Sequence, residues 1–577
     1  MDSSQWKDNF GHVSPHSCEH CKDIIFTFGE LTSFSLKEVE RADKAGCEFF
    51  RLTYQKYTAT NITTVPSDPK LIISCVERGG GLDIRWVDGA TPLFDSVEES
   101  TCPLSMFTLA GSPAFIDIET RPLNLNPGSE EQIRQIRHRF RRCRQEHKKC
   151  MELCKTQRQE LPARLIEVGA LDSKDIRVLE TRSIDQVAYA ILSYCWGGDQ
   201  ESKTIDARLE RRRNGFPLDE LPQTIKDAVF LTRKLRLKYL WVDAICIVQD
   251  NKKDIDKEIR KMDQIYRGAL ITFAAARATE VSEGFLGHRE PTHCYGTVCQ
   301  IQYRQSSGDP AIVRSSLVSA KPLHITYEDP IDLRAWTFQE HYQSLRTVRF
   351  GSKQTVWECP ASRWVDGGIN YTYEASSDRR FSGKIVDSPY PFRLDDASHK
   401  HDLDSALGDW QSKVEEYSGR KLKNPEDRLP AFAAIAKAFG AFLGLKPDQY
   451  LAGLWLFDLS MQLRWRRPDC ELEKEWASAG SGPSWSWASL TGPVIFDHPR
   501  LSHGTNTLRI DDWKMEPKLE GFEYGEVLRG RLTVSGNLCM SIRQGLDFIG
   551  WHPCVLEPCL LPLVAHWDCQ DEQPFEV

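Results

Sequence analysis

The sequence predicts an α/β chain built on a parallel sheet, preceded by a β-rich region and followed by a mixed α+β extension. Three observations carry that expectation. Val187–Ser193, Tyr239–Val242 and Leu270–Ala275 are short, uninterrupted apolar runs of strand length. Between them, Thr224–Leu235 and Asp254–Tyr266 space their apolar residues (Ile225, Ala228, Val229, Leu235; Ile255, Ile259, Met262, Ile265, Tyr266) for one helical face. A β-α-β-α-β order implies parallel strands joined by right-handed crossovers. At 577 residues the chain is also too long for one hydrophobic core.

Taken in order, residues 1–128 read as β-rich. Leu71–Val76 and Leu82–Val87 flank Gly79-Gly80-Gly81, a hairpin with a glycine turn. Residues 129–160 read as one basic linker helix, opened by a capping box of Ser129 and Gln132. Residues 161–365 form the α/β domain, with a loose stretch from about 290 to 330, a helix over Arg334–Leu345, and a strand pair at Thr347–Phe350 and Thr355–Cys359. Residues 366–405, rich in Ser, Asp, Gly and Pro, read as an insertion, and 406–577 as an α+β extension with a helical segment at Leu429–Leu445.

Hydrophobic residues at 40% and charged residues at 27% belong to a globular chain, and a net charge of -8 argues against nucleic acid as partner. The polar start, MDSSQWKDNFGHVSPHSCEHC, has no apolar export core, and no run reaches the roughly 20 apolar residues of a membrane span. The expectation is a cytoplasmic protein whose 18 cysteines are thiols. No GxxxxGK[ST] phosphate loop, GxGxxG after a strand or GxSxG elbow occurs, and Cys246 has no histidine in the neighbouring blocks to activate it.

Four blocks stand in a specific order: YAILSYCWGG at Tyr189–Gly198, LPQTIKDAVFLTRKLRLKYLWVDAICIVQD at Leu221–Asp250, EIRKMDQIYRGALITFAAA from Glu258, and RAWTFQEHYQSLRTVR at Arg334–Arg349 with Trp357-Glu358-Cys359 behind it. The ordered set closely resembles the fungal heterokaryon-incompatibility (HET) domain. That resemblance implies protein partners, self-association, and an effector of cell death in non-self recognition. The residues singled out by the blocks are Ser193, Tyr194, Trp196, Gly197, Trp241, Cys246, Gln249, Arg334, Trp336, Gln339 and Glu340. In a parallel sheet the ends of the first two strands converge on the crevice where ligands bind. Tyr194, Trp196 and Trp241 read first as core aromatics, and Asp243 evenly as a site residue or as a structural cap or ion-pair partner of Arg334.

YAILSY is also similar to the opening strand of the Toll/interleukin-receptor (TIR) fold, some of whose members cleave NAD with a helix-borne glutamate. The resemblance implies NAD as a candidate substrate, no resident cofactor, and Glu258 or Asp243 as candidate catalytic carboxylates. Glu258 stands between Lys257 and Lys261, where a solvated helix face is the ordinary expectation. A non-toxic accessory protein is the remaining alternative.

Cys143, His147, Cys150 and Cys154 fall on one face of the linker helix, yet on a continuous helix the outer pair would stand about 16 Å apart. One ion cannot reach both, and completing a neighbouring pair would need Cys18, His20 or Cys21. The expectation is a helix burying small thiols, with no metal. Its basic run reads as a solvated face.

Overall fold

The computed structural model describes residues 13–14, 19–59, 68–76, 81–88, 91–92, 104–109, 111–118, 120–156, 161–183, 187–305, 312–319, 329–367, 370–372, 403–468, 482–496, 509–540, 551–553 and 562–567. Most of the 366–405 insertion and the Gly79-Gly80 turn lie outside them, as does Cys18.

The central sheet is mixed rather than parallel throughout. Strands Tyr239–Trp241, Tyr189–Ser193, Ile271–Ala274 and Thr347–Phe350 lie side by side and parallel, in that order. Their continuous burial matches strands covered on both faces. Short connections account for the antiparallel pairing of Arg164–Glu167 with Asp175–Glu180 and of Thr347–Phe350 with Thr355–Cys359, because only a long crossover can return a chain parallel. On one side Arg164–Glu167 pairs with Tyr239–Trp241, and Asp175–Glu180 pairs with Arg164–Glu167; on the other, Thr355–Cys359 and Ser362–Val365 follow Thr347–Phe350.

Helix Gln223–Lys234 buries Ile225, Ala228, Val229 and Leu231 on the core that also holds the central strands. The helix expected over Asp254–Tyr266 is two, Lys252–Ile259 and Met262–Gly268. The linker helix is likewise two, Glu130–Gln145 and Lys148–Thr156. Ser129 caps the first, accepting from the Gln132 amide at 3.3 Å. Ile133, Ile136, Phe140 and Cys143 join the central core while Arg134, Arg141, Arg142 and Arg144 face solvent, so the basic run is a solvated face.

The N-terminal hairpin forms, with Pro69–Val76 antiparallel to Gly81–Asp88. Its sheet also takes in Val298–Arg304 and Arg314–Ser319, from the stretch expected to be loose, and two helices, Leu36–Lys44 and Glu48–Ala59, accompany it. The C-terminal region packs around Trp410, Phe432, Phe439, Trp455 and Trp487. Helix Ala335–Gln343 belongs to both bodies: Phe338 and Tyr342 enter the C-terminal core, while Glu340 and Ser344 bond to Ser193 and Thr272 of the sheet. Among the described residues no helix is long and apolar enough to cross a membrane.

Candidate functional site

In the parallel part of the sheet the chain runs from Tyr189–Ser193 outward to Tyr239–Trp241 on one side, then back to Ile271–Ala274 on the other. This reversal of strand order falls at Tyr189–Ser193, and in open α/β sheets the carboxyl ends of the strands at such a point are where ligands bind. Gly197 turns the chain there with φ of 78°, and a Cβ at that position would stand 2.1 Å from the Glu280 Cβ. Only glycine meets both conditions.

The crevice gathers a compact polar group. The Ser193 hydroxyl donates to Glu340 Oε2 at 2.5 Å. Trp196 Nε1 donates to Asp243 Oδ2 at 2.8 Å, and the Ala244 amide to Asp243 Oδ1 at 2.7 Å. The Arg334 guanidinium donates to the Tyr194 carbonyl. Ser193, Tyr194 and Glu340 are buried, whereas Trp196, Asp243 and Arg334 are partly exposed and form the rim. Gln249 braces the wall, its side-chain amide donating to the Asp243 carbonyl at 3.0 Å.

Burial governs the electrostatics. It pushes the Glu340 carboxyl up to about 6, with Asp243 adding to the rise and Arg334 and the Ser193 hydroxyl opposing it. Burial likewise raises Asp243, against Arg334 and the Trp196 hydrogen bond. Tyr194 and Tyr266 are held as neutral phenols for the same reason. Two carboxyls, one guanidinium and two neutral phenols therefore share one site. A carboxyl poised near 6 can hold or release a proton close to neutrality. With one cation against two carboxyls, the group suits developing positive charge better than it suits phosphate.

The other singled-out residues divide. Trp241 is core, edge-on to Tyr266 at 6.0 Å between ring centroids. Cys246 is buried, its thiol pushed up to about 12 by desolvation, which is far from an activated nucleophile. Trp336 and Gln339 turn to the C-terminal region, bonding to Asp427 and the Ala434 amide. Trp196, first read as core, packs against the central core while staying partly exposed.

Glu258 does not face solvent. It is 1% exposed, accepts from the Ala163 amide at 3.2 Å, and has Arg164 as its nearby cation. Burial raises its pKa. It stands three residues after Ile255, which packs against the central core, and so shares that face of its helix; the flanking Lys257 and Lys261 pointed to solvent instead. Among the described residues, no hydrogen bond joins it to the group around Asp243. Tyr266, by contrast, reaches Glu340 and received no role from the sequence; its place behind the Glu258 block offered only helical spacing.

Cys143, His147 and Cys150 come together because the linker helix breaks at Glu146–His147. Cys154 is exposed and stays out of the group, and Cys359, at the end of its strand, completes it. The sequence signal for Cys359 was the Trp357-Glu358-Cys359 block, more than 200 positions from the others. Cys21 lies in the N-terminal core.

Residues 189–340 match the family model described as Heterokaryon incompatibility protein (HET). No curated protein and no solved structure matches the chain.

Proposed function

Residues 189–340 form a HET domain, and from that premise we propose that the protein is an effector in fungal non-self recognition, triggering cell death. The observation that carries the reading is that the matched residues include the whole crevice group, from Ser193 to Glu340. The proposed trigger is association with protein partners or with itself in the cytoplasm. Helix Ala335–Gln343 supports a restraining role for the C-terminal region: it brings Glu340 to the crevice while Phe338 and Tyr342 are gripped by that region's core. The Arg334 end is held as well, with the Ala335 amide donating to the Lys421 carbonyl at 3.0 Å. Conditional expression of the full chain in a fungal host tests the reading. Growth arrest as the protein accumulates is expected; normal growth at equal accumulation, with partners co-expressed, contradicts it.

A second reading, hydrolysis of NAD or a related nucleotide at the same crevice by a remotely TIR-like domain, is favoured by the raised carboxyls and by the 2-1-3-4 order of the parallel strands. Here Asp243 and Glu340 would face the positive charge that develops on the ribose as nicotinamide departs. Glu258 remains the alternative carboxylate by analogy. Incubating purified chain with NAD, beside Asp243→Asn, Glu340→Gln and Glu258→Gln, separates them. Loss of turnover in the first two with retention in the third is expected. Turnover unchanged in all three removes these carboxylates from the chemistry.

A further inference from the structure

We propose that Cys143, His147, Cys150 and Cys359 bind one structural zinc ion that clips the linker helices to the central sheet. The ligand atoms of all four lie within 4.8 Å of one another. His147 Nδ1 is 3.4 Å from Cys359 Sγ and 3.9 Å from Cys150 Sγ. Zinc bonds of about 2.0–2.3 Å to nitrogen and sulfur set tetrahedral edges of roughly 3.5–3.8 Å, so the group needs only a small contraction to close on an ion. Three sulfurs and one imidazole, with all three cysteines buried, form the closed donor set of a structural zinc site, and soft thiolates select against magnesium and calcium.

A second observation points the same way. Arg346 is 1% exposed, and its Nε donates to Cys143 Sγ at 3.0 Å. Its remaining described hydrogen bonds go to Cys154 Sγ and the Leu270 carbonyl, both at 3.4 Å, with no carboxylate among them. A buried guanidinium needs an anion beside it. Zinc with three thiolates and a neutral imidazole carries one net negative charge, which Arg346 offsets.

The four ligands come from two helices, the break between them and a strand 209 positions beyond Cys150. Closing such a long connection with an ion stabilises the folded state, because the unfolded chain has no preformed site. On binding, zinc displaces the thiol protons to solvent and no electron is transferred.

Full-length protein purified with zinc present and reductant throughout is measured for metal content by mass spectrometry, then reloaded with cobalt(II). One zinc per chain is expected, with a thiolate-to-cobalt charge-transfer band in the near ultraviolet. Cys359→Ser is expected to lose at least about tenfold in zinc affinity, and Cys154→Ser to keep the full content. Should Cys359→Ser not fold, the wild type decides: a thiol-specific mercurial must release one zinc per chain. Absence of zinc and of the cobalt band, equal content in wild type and a folded Cys359→Ser, or a disulfide between these cysteines overturns the proposal.

Discussion

At the carboxyl ends of the parallel strands the grouped polar atoms are oxygen and nitrogen: a buried Glu340 balanced against Asp243 and Arg334 at a partly exposed rim. At the other end of the same sheet, where Arg346 precedes Thr347–Phe350 and Cys359 closes its partner strand, they are sulfur, and the cysteines are buried. The first group is assembled within 189–340 and adjusted by desolvation and charge, so protonation or a ligand can shift it. The second joins segments more than 200 positions apart and works by being closed. One sheet thus carries an adjustable edge and a fixed one. The two should respond to different perturbations.

The largest effect is expected at the sulfur edge. Loss of zinc through Cys359→Ser should lower the melting temperature by ~10 °C, corresponding to a few kcal/mol in a domain of this size. Cys154→Ser should move it by less than ~2 °C. Scanning fluorimetry of both proteins checks this, and equal shifts would dissolve the distinction between a clip and ordinary thiols.

Next comes Arg334→Ala, which leaves Asp243 and Glu340 facing each other without a cation. Breaking a buried charge group costs roughly 3–5 kcal/mol, and the partial exposure of Arg334 brings the expectation to about 2 kcal/mol in urea unfolding at pH 8. The loss should shrink at pH 5, where Glu340 takes up a proton. A loss independent of pH would mean that Arg334 acts through packing alone.

Glu340 itself gives the third test. Its folded pKa, about 6, lies above the ordinary value of 4.5, so between these the folded state holds more protons than the unfolded one. Stability attributable to this group is therefore complete below pH 4.5 and falls as pH rises through 6. Relative to Glu340→Gln, the wild type should lose on the order of 1–2 kcal/mol over that window. A difference that is flat with pH would contradict the burial account.

The smallest effect is expected for Glu258→Gln. Its Oε1 is buried without a hydrogen-bond partner among the described residues, and glutamine keeps an acceptor for the Ala163 amide while removing a desolvated charge. Stability should change by less than ~1 kcal/mol. A loss well above that would give Glu258 a role in holding the start of the sheet.

Much of the adjustable edge was legible in the sequence because its determinants are local. Tyr189–Ser193 and Ile271–Ala274 are short apolar runs, and Asp243 follows its strand directly. What periodicity could not give was nonlocal or lay at unmarked breaks. No proline or glycine announces the interruption at Glu146–His147, so the sulfur group was hidden, while Glu258 was masked by its charge and its lysine neighbours although its spacing from Ile255 put it on the core face. Strands Val298–Arg304 and Arg314–Ser319 find their partners in the N-terminal sheet, a pairing that only the folded chain specifies. The antiparallel pairing of Arg164–Glu167 with Tyr239–Trp241, across about 70 residues of chain, likewise is specified only in the folded chain.

The claim that the carboxyl edge is the working site of an effector is tested most directly by growth of a fungal host expressing the full chain as wild type or as Asp243→Asn with Glu340→Gln, at matched protein abundance. Arrest by the wild type and normal growth with the double variant is the predicted result. Arrest by both alike would contradict it.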